Sequence, residues 1–588
     1  MKIAIEGCCH GELDNIYGTI KLLEQRENYK IDLVLICGDF QAIRNTSDME
    51  CMSVPPKFRE LGTFWKYYSG LAKAPYPTIF IGGNHEASNH LWELYHGGWV
   101  CENIYYLGHA GVINYKGVRI GGISGIFKSN DYRKGHYETS PYTPQTIKSV
   151  YHVRDYDVQK VLQIQKPVDI FLSHDWPRGI ERFGDVGELL RVKTFFREEA
   201  RTNTLGSPAN EQILTKIQPA WWFAAHLHVK FAALVDHEKW KNEDYSDEVK
   251  RVLNLRNGPY YQASIHQNQS VKVENPDEIS ISMSDDDDDE DCCTHGQRST
   301  EKKVGTRVDN PDEISISVSD DEDDEDKDDT PEKESPVPVQ VQSESPKITK
   351  FLSLDKCLPR RQFLQVIDVP SDDSAHGFSY DLEWLAITKS MHPYLSVERQ
   401  EYRLPSNEDI QMTIKKELTQ LEAMVGRGEL DLKIPNNFQP TAPTFNPSVQ
   451  WNHEQTVQFQ YPFSNPQTSD FCKMLNIQNK INPHGMTDFG HEKVAPEQQN
   501  SFVEPQESSF SESIRYSLTT LNDDMSTLTS EEVEISVINK VPEETPIPDN
   551  NTLSLEDPMA TGEDQKAKRQ KIVHEENVLL ETVEEQIL

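Results

Sequence analysis

Thr78-Ile79-Phe80-Ile81-Gly82-Gly83-Asn84-His85-Glu86 is a short apolar run that stops on two glycines and opens into an amide, an imidazole and a carboxylate. A β-branched and apolar run of this length, bounded by glycine, reads as a buried strand. The glycines allow a sharp backbone turn, so the polar side chains sit just past the carboxyl end of that strand. Four other segments repeat the arrangement. Lys2–Ile5 leads into Gly7-Cys8-Cys9-His10-Gly11, Leu33–Cys37 into Gly38-Asp39, Asp169–Ser173 into His174-Asp175, and Trp221–Ala225 into His226-Leu227-His228. Ligand sites in layered α/β folds collect beyond the carboxyl ends of strands, so all five endings can meet in one cleft. Ala110–Tyr115 and Val118–Ile123 flank Lys116-Gly117 as a hairpin. Asn15–Arg26 spaces Ile16, Ile20 and Leu23 as a helix. The expected fold class is α/β and layered.

The residue types at these endings suit a binuclear metal site. Cys8 and His10 are two apart at a strand end, hence on one side of it, and Cys9 faces the other way. His226 and His228 repeat that geometry. Asp39 is a natural bridging carboxylate, Asn84 offers a neutral carbonyl oxygen, and His174 adds an imidazole. Two divalent cations about 3.5–4 Å apart clamp a phosphodiester and lower the pKa of a water. One strand-end histidine alone would carry little weight, because most are ordinary core or surface residues. The ordered series of five carries the reading.

Charge divides the 588-residue chain. Residues 1–240 hold 27 basic and 27 acidic residues, so the formal net charge of −37 belongs wholly to the remainder. A nucleic-acid site on a neutral body has to be a local basic patch. Residues 241–346 contain a duplication, Val273–Asp286 recurring as Val308–Asp321, each copy running into Asp/Glu. Such sequence cannot bury enough apolar surface to fold and is expected to be a disordered acidic insert of unknown partners. Order is expected to return over 347–480. There Phe351–Leu354, Phe363–Val369 and Tyr380–Thr388 read as strands or short helices, and Asn407–Val425 as a helix with Ile410, Ile414, Leu418, Leu421 and Val425 on one face. The tail, 481–588, reads as disordered, with Lys566-Ala567-Lys568-Arg569-Gln570-Lys571 as a nuclear localisation signal. Nine cysteines form no C-x-x-C pair, as in reduced cytosolic or nuclear proteins. No apolar run approaches the roughly 20 residues of a membrane span. A soluble, intracellular monomer is expected.

The five motifs resemble the signature of calcineurin-like metallophosphoesterases: D-x-H, G-D, G-N-H-[DE], a lone His, and G-H-x-H. Two positions depart, with Cys8 in place of the first aspartate and Ala225 in place of a glycine. The Cys-x-His opening, Ser-His-Asp-Trp-Pro at 173–177 and Phe-Leu-Ser-Leu-Asp-Lys-Cys-Leu-Pro at 351–359 resemble RNA lariat debranching enzymes in particular. This resemblance implies a metallophosphoesterase sandwich of two central β-sheets flanked by helices over 1–240, and a smaller C-terminal α+β domain over 347–480. It implies hydrolysis of the 2′-5′ phosphodiester bond at the branch point of excised intron lariats, for turnover in the nucleus. One metal pocket would be Cys8, His10, Asp39 and His228, the other Asp39, Asn84, His174 and His226. His85 would protonate the leaving 2′-oxygen as general acid, with Glu86 structural. A thiolate ligand favours Fe²⁺ or Zn²⁺ over Mg²⁺, with Mn²⁺ supporting activity. Residues 124–154 correspond to a lariat recognition loop, in which Lys128, Tyr132, Arg133, Lys134, Tyr137 and Arg154 interleave cations with stacking aromatics for branched RNA. Two alternatives are another enzyme on this scaffold (a nucleotide phosphodiesterase or a phosphoprotein phosphatase) and an inactive scaffold. Asp39 continues as Phe-Gln-Ala-Ile-Arg, without the Asp-Arg-Gly of Ser/Thr phosphatases, and every ligand position of the scheme is filled by a metal-binding residue type.

Overall fold

The apolar runs become strands in a computed structural model that describes residues 1–243, 245–253, 347–372, 374–375 and 377–487. All of these fall in one unit, Met1–Met525; the other, Ser526–Leu588, lies outside the described residues. The first sheet draws on β1 (Lys2–Glu6), β2 (Leu33–Ile36), β3 (Thr78–Phe80), β4 (Gly98–Cys101) and β5 (Ile104–Tyr106). The second draws on β6 (Ala110–Tyr115), β7 (Val118–Ile123), β8 (Ile170–Ser173), β9 (Trp221–Ala224) and β10 (Phe231–Asp236). Three strands from beyond residue 346 complete both: β11 (Ile348–Ser353), β12 (Leu364–Asp368) and β13 (Phe378–Tyr380). The orders are β12-β1-β2-β3-β5-β4 and β10-β11-β9-β8-β7-β6-β13. The C-terminal segment is thus woven into the body, with Lys2 opposite Asp368 in an antiparallel pair and β11 parallel to β9.

Side-chain alternation sorts the layers. Ile3, Ile5, Leu33, Leu35 and Ile79 point between the sheets, where they meet Ile120, Ile170, Leu172 and Phe223. Ala4, Val34, Ile36 and Phe80 point outward against Ile16, Ile20 and Leu23 of the helix Leu13–Glu27. Central parallel strands are covered on both faces, which is why they read as unbroken apolar runs. On the outer face of the second sheet, the helices Asp155–Leu162 and Pro208–Ile217 bury Val158, Val161, Ile213 and Leu214 against Phe171 and Trp222. The architecture is two mixed sheets flanked by helices. The second sheet receives the helices Leu382–Met391 and Asn407–Gly426 as well, the latter burying Ile410, Ile414 and Leu421.

The ordered body extends past residue 240. The helix Asp247–Val252 and the turn after it bury Val249 and Leu253 in the main core, past the expected boundary at 241. The acidic duplication and the Lys566–Lys571 cluster lie outside the described residues. All described cysteines are buried free thiols. Among the described residues, no helix is long and apolar enough to cross a membrane.

One buried ionic group ties the C-terminal segment to the body. Arg44 is fully buried. Its guanidinium donates to Asp48 at 2.8 and 3.0 Å, to Glu93 at 2.7 Å and to Thr441 Oγ1 at 3.0 Å. Breaking such a group from one side strands buried charge and costs about 3–5 kcal/mol. Arg44→Met is therefore expected to lower the urea midpoint steeply, whereas an exposed control such as Arg191→Met should shift it little. A loss near that of the control would show that the two carboxylates relax without their partner.

Candidate metal centre and nucleic-acid interface

The five polar endings converge. Ligand atoms of Cys8, His10, Asp39 and His228 all lie within 4.8 Å of one another. His10 Nε2 faces His228 Nε2 at 3.3 Å and Asp39 Oδ2 at 3.6 Å. On the other side of Asp39, its Oδ1 is 3.4 Å from His174 Nε2, which is 3.1 Å from Asn84 Oδ1. The His226 ring centroid lies 5.0 Å from that of His174. Asp39 thus stands between two groups of donors. Cys8 packs between the sheets and Cys9 in the outer layer, the opposed facing that strand alternation predicts.

Backbone geometry pays for this convergence locally. His10, Asp39, His226 and His228 all adopt left-handed φ between 46° and 60°, a strained choice for non-glycine residues. The left-handed turn falls on His226 rather than Ala225, so the missing glycine there is not needed. Gly83 is needed, because a Cβ at that position would collide with Asp39 Oδ1. The Gly83-Asn84-His85 loop is pinned twice. The His85 backbone N–H donates to Asp39 Oδ1 at 2.8 Å, and Glu86 accepts N–H bonds from Gly83, Phe40 and Gln41 at 2.8–2.9 Å. Glu86 is a structural clamp joining the two loops.

Protonation follows burial. Burial lowers His10 and His226 to about 4 and His228 to about 2, so all three are neutral near pH 7 with lone pairs available. Burial also opposes ionisation of Asp39, but His174, His85 and His10 outweigh it and hold the carboxylate well below its usual range. Burial, then Asp39 and Glu6, push the Cys8 thiol up. The donor set fits two cations on its own chemistry. His174 Nδ1 faces the Cys37 carbonyl at 2.8 Å and donates there, while burial opposes its protonation but the Asp39 carboxylate raises it, and Nε2 faces Asn84 Oδ1 at 3.1 Å and Asp39 Oδ1 at 3.4 Å. In the other group two imidazole nitrogens, His10 Nε2 and His228 Nε2, face each other at 3.3 Å. Imidazole nitrogens, a carboxylate, an amide oxygen and a thiol gathered on both sides of Asp39 are donors that suit a divalent ion in each place.

His85 stands beside the donors without joining them. Its ring centroid is 5.8 Å from that of His10, and among the described residues its buried Nδ1 has no hydrogen-bond partner. The loop expected to face RNA divides. Lys128 and Arg133 are exposed. Tyr137 lies under the Arg399 guanidinium at 5.8 Å, and Tyr132 packs on Phe127 at 5.2 Å. Lys134 is paired with Asp131 at 2.6 Å. Arg154 does not face solvent at all. It is fully buried, paired with Glu138, and donates to the carbonyls of Asp131 and Ser149. Its assignment as an RNA contact is corrected: it holds the loop from inside. Sequence reasoning missed Arg399 and Lys356, which the C-terminal segment brings to the loop and to the metal centre; their signal was a lone cation on a segment with no ligand motif.

Comparison with known proteins agrees with both halves of this arrangement. Residues 1–230 match the calcineurin-like phosphoesterase family, and residues 346–480 match the C-terminal domain of lariat debranching enzymes. The chain is 43% identical over 481 residues to lariat debranching enzyme A of Xenopus laevis, covering 81% of this chain and 70% of that one. It is 41% identical over 480 residues to the lariat debranching enzyme of Homo sapiens, covering 81% and 69%. It is 41% identical over 486 residues to that of Schizosaccharomyces pombe, covering 82% and 96%.

Proposed function

The chain belongs to the lariat debranching enzyme family, and we propose that it hydrolyses the 2′-5′ phosphodiester bond at the branch point of excised intron lariats. The observation that carries this is the approach of Cys8, His10, Asp39 and His228 within 4.8 Å, with His85 alongside and outside the set. One ion would be held by Cys8, His10, Asp39 and His228, the other by Asp39, Asn84, His174 and His226. The Cys8 sulfur favours Fe²⁺ or Zn²⁺ there, with Mn²⁺ as a working substitute. When bound, the pair supplies Lewis acidity toward the phosphoryl oxygens and a water of lowered pKa.

The protein's own residues do the rest. Water oxygen forms the new bond to phosphorus as the bond to the 2′-oxygen breaks, and His85 gives that oxygen its proton. Asp39 orients His85 by accepting its backbone N–H, and Glu86 keeps the two loops in register. Lys128, Arg133 and Arg399 are exposed cations, with half-buried Tyr137 under Arg399, and would meet the single-stranded arms. Arg44, buried and fully paired, is not available to a phosphate, which supports a phosphodiesterase over an arginine-clamped phosphatase.

Purified full-length chain, supplied separately with Fe²⁺, Zn²⁺ or Mn²⁺, is expected to cut a branched RNA only at its 2′-5′ bond and to leave the linear 3′-5′ counterpart intact. Cleavage of the linear RNA, or of a phosphopeptide instead, would overturn the debranching reading while leaving the fold untouched.

A further inference from the structure

Lys356 belongs to the C-terminal segment, yet the fold sets it against the metal centre. Its backbone forms an isolated parallel bridge with Cys8, and the Cys357 N–H donates to the Cys8 carbonyl at 3.2 Å. Gly7 makes the approach possible, since a Cβ there would collide with the carbonyls of Leu354 and Asp355. Asp355 accepts the Lys356 backbone N–H at 2.8 Å and pairs with Arg361 at 3.3 Å. Among the described residues, no carboxylate pairs with the Lys356 ammonium. Lys356 is half-buried, and its bridge to Cys8 sets it beside the group formed by Cys8, His10, Asp39 and His228.

An unpaired ammonium beside donors that must hold cations weakens their hold on metal. Its position makes sense if an anion arrives with the substrate. A branch ribose carries phosphates on two adjacent carbons, and one of these is not cut. With the leaving 2′-oxygen at His85, the ribose lies next to the His10 and His228 side of the site, because His85 and His10 are neighbours at 5.8 Å and the two Nε2 atoms at 3.3 Å. Among the described residues, Lys356 stands beside that group without a carboxylate partner.

We propose that Lys356 is a specificity-determining residue that binds the non-scissile 3′-phosphate of the branch nucleotide. The inference rests on the debranching reading above and adds how a branch is told from a simple 2′-5′ linkage.

Two substrates test it: a branched trinucleotide carrying both linkages on one adenosine, and a 2′-5′-linked dinucleotide without the 3′-phosphate. The wild-type chain should prefer the branched substrate in kcat/KM. Lys356→Met should reduce that preference about tenfold, mostly through KM, and lower the salt dependence of KM on the branched substrate by about one phosphate contact. Lys356→Arg should restore most of the preference. Metal content measured on each variant should match the wild type or exceed it. An equal loss on both substrates, or an unchanged ratio, overturns the assignment. A wild-type chain that cuts neither substrate overturns the debranching reading itself, and that result is distinct from either of these.

Discussion

Replacing His85 by alanine is expected to lower the single-turnover rate on branched RNA by about 10²- to 10⁴-fold, the usual worth of a general acid. Metal content and affinity for branched RNA should stay near wild type. The reason lies in which atoms His85 shares with the site. Its link to Asp39 runs through the backbone N–H, which alanine keeps, and its ring belongs to neither donor group. The loop should therefore hold its shape while the proton source disappears. An aryl phosphodiester gives the sharper comparison, because a p-nitrophenolate leaves without needing a proton. His85→Ala should lose far less on that substrate than on RNA. Equal losses on both would show that His85 shapes the site rather than protonating the leaving oxygen.

Asp39→Ala should be more damaging, because one carboxylate serves both donor groups. Its Oδ2 faces His10 at 3.6 Å, its Oδ1 faces His174 at 3.4 Å, and Oδ1 also accepts the His85 N–H. Losing an outer-shell partner of a metal site costs roughly 10- to 100-fold. Loss of this shared ligand should exceed that range and empty both sites, as read by elemental analysis after gel filtration. Asp39→Asn guards against simple misfolding. It keeps the size and one oxygen acceptor for the His85 N–H but removes the charge, so it should fold with an unchanged circular dichroism spectrum and still bind little metal. Full metal occupancy in Asp39→Asn would remove Asp39 from the ligand set.

The catalytic half was legible because its strands are buried on both faces. Such strands announce themselves as unbroken apolar runs, and the turn after each must display what it carries. The hairpin Ala110–Tyr115 and Val118–Ile123 emerged with its predicted ends. Asn15–Arg26 grew by a residue or two at each end into the helix Leu13–Glu27. The edge strand Phe231–Asp236 was not read, although Phe231–Val235 is an unbroken apolar run; Leu234 on it faces solvent, so its apolar residues do not all report burial. The C-terminal segment hid its role for a different reason. Nothing local in Leu364–Asp368 says that its partner is the first strand of the chain, since register across such a separation is a property of the assembled sheet. Charges failed in the same way. Lys128 and Arg154 look alike in sequence, but one is exposed and the other is buried against Glu138. Whether a cation is spent inside the protein depends on which carboxylates the fold brings to it.

The pairing of Lys2–Glu6 with Leu364–Asp368 also sets a timetable for the ribosome. The outer neighbour of β1 is translated about 360 residues after it, roughly 20–70 s later at ordinary elongation rates. β11, which separates β9 from β10 in the finished sheet, is equally late. Through that interval the nascent chain carries open sheet edges of apolar strands, the kind of surface that recruits other chains. A message cut short before residue 348 would therefore yield an aggregation-prone fragment rather than a smaller enzyme, and full-length synthesis should lean on chaperones until both late strands have docked.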